Sequence, residues 1–189
     1  MGSLIRIRCH PESGRTVIPE SILLLAGFAL AHAAWSVSDT TPDELLVPLA
    51  VIEVGGQRTL QRFEAETQVA AVTAGKAAMA EATAAQHPWV FVHEGLARGM
   101  DGQTQDVLIV ELWTPGMDAP LLVTQAFTRA AAGRAFRILG QPMVALHGRA
   151  VDESTTSSVR RGLRRGIDQH SRVAPLWAQW TADTTARGT

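Results

Sequence analysis

The chain has 189 residues, of which 46% are hydrophobic and 19% charged, a balance typical of one globular domain with a substantial core. Seventeen basic and eighteen acidic side chains give a formal net charge of −1, so no overall field favours nucleic acid or an anionic membrane as a partner. The single cysteine, Cys9, excludes an intramolecular disulfide and a zinc site built from several thiolates. We therefore predict a single domain over residues 1–189 that resides in the cytoplasm.

The first apolar stretch follows residues 1–17, which lack periodicity and are predicted to form an irregular N-terminal arm. This stretch, "SILLLAGFALAHAAW", spans residues 21–35 and follows Pro19, a residue typical of the start of a helix. Because it is too short to cross a bilayer, we predict a buried helix and no transmembrane segment. Its Ala-x-Ala ending near Ala33 imitates a signal peptide, which leaves export with cleavage at that point as the alternative.

The next segment predicts a β-hairpin followed by a helix. Gly55-Gly56 separates two extended runs as a two-residue hairpin loop does, and this pairing places Glu53 opposite Arg58 as a cross-strand ion pair. The alanine-rich stretch at residues 64–85 predicts a helix. Its many small residues predict close packing on a sheet.

The stretch "PWVFVHEGLARGMDGQTQDVLIVELW", residues 88–113, predicts two strands. The Asp-Gly pair at residues 101–102 is a strong signal for a two-residue turn between them. In the register that this turn sets, Glu94 and Glu111 become diagonal neighbours on one face, because side chains alternate along a strand. His93 points to the opposite face, so it cannot form a dyad with the adjacent Glu94.

Two close carboxylates can share a proton or bind a divalent cation. Glu94, Glu111 and His93 are therefore the candidates for catalysis. Two half-exposed glutamates on the wet face of a sheet and a hydrogen-bonded core histidine explain the same residues without any chemistry. No third acid converges on the pair, so no metal site is predicted.

The C-terminal half predicts two further strands and two helical segments. The strands are "LLVTQAFTR", residues 121–129, and a longer run at residues 134–148 that a glycine and a proline interrupt. A helix follows at residues 152–170, and "VAPLWAQW" at residues 173–180 adds a further helical turn. A polar tail over residues 182–189 ends the chain.

The helix at residues 152–170 has a basic side opposite an apolar stripe. The basic residues are Arg160, Arg161, Arg164 and Arg165. Such a side would suit a small anionic ligand or an acidic protein, whereas nucleic acid is not expected because no aromatic residues interleave with the arginines. Gly162 and Gly166 predict a close backbone contact with a partner helix or with the chain's own sheet. Gly27 in the first helix is small enough to let another element approach closely.

These elements predict the α+β class. Strands joined by short turns must run antiparallel, so we expect an antiparallel sheet of about five to six strands with helices packed mainly on one face. The predicted order is α-β-β-α-β-β-β-β-α.

The sequence contains no phosphate loop, dinucleotide fingerprint, nucleophile elbow or His-Glu-x-x-His motif, so no cofactor is predicted. We expect a non-enzymatic binding or assembly module that forms a homo-oligomer. Its contact surface would be the second face of the sheet or the residues Trp113, Trp177 and Trp180. The alternative is a small hydrolase or isomerase that uses Glu94 and Glu111 in a groove on that second face.

Overall fold

The structure is a computed structural model that describes residues 18–41, 43–98, 102–146 and 149–182. Within these ranges the chain forms four α-helices and seven β-strands. Their bounds are α1 Glu20–Ser38, β1 Leu49–Val54, β2 Gln57–Arg62, α2 Gln68–Ala84, β3 Trp89–Arg98, β4 Thr104–Trp113, β5 Leu121–Thr128, β6 Arg137–Leu146, β7 Arg149–Ala150, α3 Glu153–Asp168 and α4 Ala174–Thr181. The predicted arm at residues 1–17 and the tail from residue 183 onward lie outside the described residues.

All the strands belong to one sheet, and every pair of neighbours is antiparallel. Their order is β2-β1-β3-β4-β5-β6-β7. Six of the strands are long, whereas β7 contributes only the residues Arg149–Ala150. The predicted α+β class and order of elements are confirmed, with α4 as the further helix and β7 as an addition.

One face of the sheet, which we call the core face, is covered by three helices. α1 packs on β3 and β4, α3 packs on α1 and β6, and α4 packs on β6. The side chains of the central strands beneath these helices are fully buried. They include Val90, Val92, Leu108, Val110, Leu112 and Val123, each 0% exposed. The prediction that helices pack mainly on one face is therefore confirmed.

α2 packs on the opposite face, which we call the second face. A Cβ atom added at Gly75 would collide with the ring of Phe91, so the helix lies directly against β3. At its other end, the indole nitrogen of Trp89 donates to the hydroxyl of Thr83 over 2.8 Å. The close packing that the small residues of α2 predict is present here.

α1 and α3 cross with their backbones in contact. A Cβ atom at Gly27 would collide with the main-chain oxygen of Leu163, and one at Gly166 would collide with that of Leu24. Gly162 faces the side chain of Leu23 with equally little room. The close approach predicted from these three glycines is confirmed, and it sets how deeply both helices sit on the core face.

The first hairpin has the predicted register, with Glu53 opposite Arg58 and 3.4 Å between Oε2 and Nε. The second hairpin does not. Phe91 lies opposite Glu111, and Glu94 lies opposite Leu108, one residue away from the prediction. Since side chains alternate, this shift puts Glu94 on the core face and Glu111 on the second face.

The prediction took the register from the Asp-Gly pair. In the structure the strands pair as far as Arg98 and Thr104, in a register that a two-residue Asp-Gly turn does not produce. Residues 99–101 lie outside the described residues. The pairing in the structure aligns Val90 with Leu112 and Val92 with Val110 on one fully buried face. Burial of this aliphatic face has decided the register.

α1 is long and apolar enough to cross a membrane by length and composition, but 61% of its most apolar window is buried inside the fold. A buried core helix and a signal sequence near the N-terminus both pass this test. The cytoplasmic localisation, its exported alternative and the absence of a transmembrane segment all stay predictions.

Candidate functional site

Glu94 forms a buried ion pair that links separate elements of the fold. Its carboxylate is 4% exposed, and Arg129 Nη2 lies 2.7 Å from Oε1 and 2.5 Å from Oε2. The main-chain nitrogen of Leu46 donates to Oε2 over 3.0 Å. Arg129 in turn donates to the hydroxyl of Thr40 over 2.9 Å. The ion pair thus ties β3 and the end of β5 to the connection between α1 and β1.

These bonds leave Glu94 no role in the predicted carboxylate pair. Glu111 lies on the opposite face of the sheet, so the two groups cannot share a proton or a metal ion. Arg129 follows Glu94 by 35 residues, and no local sequence pattern connects them. Sequence reasoning therefore missed the partner that fixes the function of Glu94 as structural.

Glu111 forms a different cluster, with His93 and Lys76 on the second face. Its Oε1 atom lies 3.2 Å from the ammonium of Lys76 and 3.6 Å from Nε2 of His93. The latter distance is longer than a hydrogen bond, so the imidazole acts on the carboxylate electrostatically. His93 lowers the pKa of Glu111 the most, burial opposes it, and Lys76 adds to the lowering.

The orientation of the His93 ring follows from its other nitrogen. Nδ1 lies 3.1 Å from the main-chain oxygen of Glu94, an acceptor, so Nδ1 carries a hydrogen. Within the described residues, Nε2 is buried and has no hydrogen-bond partner. A lone pair on Nε2 would repel the carboxylate that it faces, so the stabilisation of the Glu111 carboxylate requires a hydrogen on Nε2 as well. The histidine and the carboxylate that the prediction placed apart are thus the pair that the structure brings together.

The four arginines of α3 do not form one basic surface. Arg160 donates from Nε to the main-chain oxygen of Pro142 over 3.1 Å. Arg164 pairs with Asp168 over 3.0 Å, and Arg165 pairs with Glu20 of α1. Arg161 is exposed, and within the described residues no ion pair involves it. The predicted basic side is divided between these separate contacts.

Arg160 and Arg164 nevertheless share one feature, a cavity between α1, α3, α4 and β6 with a volume of about 250 Å³. Gln125 of β5 also lines it, and its side-chain nitrogen donates to the main-chain oxygens of Ala126 and Leu139. The apolar part of the lining comes from all four surrounding elements. These residues include Leu30, Ile138, Leu163, Ile167 and Trp177.

The tryptophans do not supply the predicted contact surface. Trp113 is 6% exposed and donates from its indole nitrogen to the main-chain oxygen of Met117 over 2.9 Å. Trp177 is 5% exposed and lies in the wall of the cavity. Trp180 is half-buried and packs against Phe136, with ring centroids 4.9 Å apart. Of the two predicted contact surfaces, only the second sheet face remains.

A further cluster of side chains joins α1, β2 and the connection between α3 and α4. Arg62 lies 3.2 Å from Nε2 of His32, and Nδ1 of His32 lies 3.5 Å from Nε2 of His170. An arginine only donates, so Nε2 of His32 must accept and its Nδ1 must carry the hydrogen. Burial lowers the pKa of His32, and Arg62 and then His170 lower it further. No local sequence pattern connects His32 with Arg62 and His170.

The described residues contain no group of three or more histidine, cysteine, aspartate or glutamate side chains placed to hold a metal ion. Comparisons with known proteins give no match, whether to a protein-family model, to a curated protein or to a solved structure. The fold defines the chain as an α+β protein with an antiparallel sheet. Since a fold class hosts many functions, any function must be argued from the surfaces and clusters above.

Proposed function

We propose that the protein is a non-enzymatic binding module that assembles as a homo-oligomer through the open part of the second sheet face. The observation that supports the proposal is the incomplete cover on this face. α2 packs on β1 and β3, and its Lys76 reaches Glu111 on β4. Beyond this point, most side chains of β4, β5 and β6 that point to the same face are half-exposed or exposed, whereas Val107 is buried among them.

The open part of this face is mostly apolar, with Thr124 between Ile109 and Met143. Met143 is 61% exposed, and its neighbours across the strands are half-exposed. We define the apolar patch by the residues Ile109, Leu122, Ala126, Leu139 and Met143. A shallow groove of about 380 Å³ runs along one side of the patch, between Ala97 and Met143. Contiguous apolar surface of this kind marks interaction sites on soluble proteins.

The chemistry of the apolar patch favours a second copy of the chain. No member of the patch carries a charge, and Arg98, which lines the adjoining groove, is the last residue of β3. Two identical patches can therefore meet without burying like charges of their own. Two sheets pack face to face at about 10 Å when their facing side chains interdigitate. A two-fold dimer needs only such a self-complementary surface.

The test is the association state of the purified chain, measured by sedimentation equilibrium over a range of concentrations. We expect a dimer, and we expect Met143→Asp and Leu122→Asp to weaken association by at least about tenfold, because each places a charge in the apolar contact. Leu60→Asp is the matched control. Leu60 is 39% exposed, but it lies opposite Val51 on the edge strand β2, on the core-face side.

Two results would overturn the proposal. One is a wild-type chain that stays monomeric at its highest soluble concentration. The other is a Leu60→Asp variant that dissociates as readily as Met143→Asp, since the contact would then not lie on the second face.

The alternative of a small hydrolase or isomerase required Glu94 and Glu111 in one groove. The register of β3 and β4 removes that arrangement, and Arg129 and Leu46 occupy the carboxylate of Glu94. His93 and Glu111 are close to each other, but neither lines the cavities described above. The binding module is therefore the function that we propose.

A further inference from the structure

We infer that the cavity between α1, α3, α4 and β6 binds a small monocarboxylate with an apolar body. The cavity lies on the core face, opposite the apolar patch, and it shares only Gly140 and Gln141 with the groove beside that patch. Its lining combines apolar side chains such as Leu163 and Trp177 with two arginines, Arg160 and Arg164. Small-molecule sites have this composition, mostly apolar with a few placed polar groups.

The charge of the site selects a monoanion. The Nε of Arg160 is bonded to a neutral main-chain oxygen, and within the described residues no acid pairs with its guanidinium. Arg164 is already compensated by Asp168, which lies 3.0 Å from it. One positive charge therefore remains uncompensated. A carboxylate matches this charge and the planar geometry of a guanidinium, whereas a phosphate dianion would need more donors.

The size and walls of the cavity select a small ligand with an apolar body. Its volume of about 250 Å³ is below the range of roughly 300–1,000 Å³ for sites of drug-sized ligands. Leu30, Ile138 and Ile167 give the inner wall no charge to meet a second ionic group.

The experiment titrates the full-length chain with octanoate and follows tryptophan fluorescence, with Trp177 as the reporter in the cavity wall. We expect saturable binding at one site per chain. Octan-1-ol, which has the same body without the charge, and acetate, which has the charge without the body, are the matched probes. Each should bind at least about tenfold more weakly, because each lacks one half of the recognition.

Variants locate the site. Arg160→Gln should weaken octanoate binding about tenfold, as expected on losing a charge-assisted hydrogen bond. Arg164→Gln should weaken it less, because Asp168 already compensates the charge of Arg164. Arg161→Gln should leave the affinity unchanged, because this exposed arginine lies on the same helix but does not line the cavity. Thr181→Phe, on the last turn of α4 at the edge of the cavity, should block binding by filling it. Circular dichroism confirms that each variant folds.

The inference is overturned if octanoate shows no saturable binding, or if octan-1-ol binds as tightly as octanoate. It is also overturned if Arg161→Gln weakens binding as much as Arg160→Gln, since a diffuse basic helix would then be responsible. The association state of Arg160→Gln should equal that of the wild type, so a failure here is separate from a failure of the proposed dimer.

Discussion

Two glutamates that each pair with an arginine differ in what they contribute to stability, because one pair is exposed and the other is buried. Glu53 and Arg58 form an ion pair with side chains 33% and 42% exposed, respectively. Glu94 and Arg129 are 4% and 9% exposed, and the carboxylate also accepts from a backbone nitrogen. Exposed pairs contribute little because water competes with them. Removing one partner of a buried pair leaves the other charged, desolvated and without a counterion.

We predict that Glu94→Ala lowers the free energy of unfolding by about 3–5 kcal/mol, the cost of leaving Arg129 buried and unpaired. Urea denaturation followed by circular dichroism measures the change. Glu53→Ala is the matched control and should cost no more than about 1 kcal/mol. Replacing both charges, as in Glu94→Leu with Arg129→Met, should recover part of the loss, because no lone charge remains. Similar small losses for Glu94→Ala and Glu53→Ala would contradict the prediction.

At the scale of elements, the sequence predicts hairpins correctly where the turn and the burial pattern agree. Gly55 and Gly56 have φ values of 58° and 79°, as such a tight turn requires, and they set the predicted register. At the second hairpin the Asp-Gly signal and the burial of aliphatic side chains favour registers one residue apart. The burial of a whole face outweighs one dipeptide, so the prediction was wrong there.

That single shift also decides how much of the site could be predicted. It exchanges the neighbours of Glu111, so that His93 takes the place of Glu94. The partners Lys76 and Arg129 come from a helix and a strand end that no local pattern connects to these residues. The cavity is likewise assembled from α1, β5, β6, α3 and α4. Such sites depend on tertiary packing, which the alternation of residue types does not encode.

The glycines at the crossing of α1 and α3 predict close contacts from the sequence, although no local pattern shows which elements meet there. We expect Gly27→Ala to lower the free energy of unfolding by about 1–3 kcal/mol, because the new methyl group collides with the main-chain oxygen of Leu163 and forces the helices apart. Alanine favours a helix over glycine by up to about 1 kcal/mol, so any destabilisation is already net of that gain.

Urea denaturation tests this prediction, with Ser158→Ala on the exposed side of α3 as the control. The control should change stability by no more than about 0.5 kcal/mol. A Gly27→Ala variant as stable as the wild type would show that the two backbones can separate without cost.

At the scale of the whole molecule, the histidine cluster joins parts of the chain that are far apart in sequence. His32 belongs to α1, Arg62 to the edge strand β2, and His170 to the connection after α3. Burial lowers the pKa of His170, with its own main-chain oxygen opposing and Arg172 adding to the lowering. The direction of the hydrogen bonds, from Arg62 to His32 to His170, holds only while both rings are neutral.

The stability of the molecule should therefore depend on pH. In the unfolded chain each histidine takes up a proton near its ordinary pKa of 6.5, whereas the folded protein takes it up only at lower pH. The unfolded state binds more protons between these values, so stability is complete above about pH 6.5 and is lost as the pH falls. Glu111 acts in a different range, since its contribution is present above its ordinary pKa of 4.5 and is lost below it.

We predict that the free energy of unfolding decreases from pH 7 to pH 5 and that His32→Gln makes this part of the curve flatter, because it removes one of the two groups that resist protonation. Urea denaturation at fixed ionic strength measures the curve.

Arg62→Gln should raise the pKa of His32 toward its ordinary value, as measured by an NMR titration, because a repelling charge is removed. Arg58→Gln is the control on the same strand, since Arg58 contacts Glu53. Two results would contradict the prediction. One is a free energy of unfolding that is the same at pH 7 and at pH 5. The other is an Arg58→Gln variant that shifts the pKa of His32 as much as Arg62→Gln does, because the direct contact between Arg62 and His32 would then not be the cause.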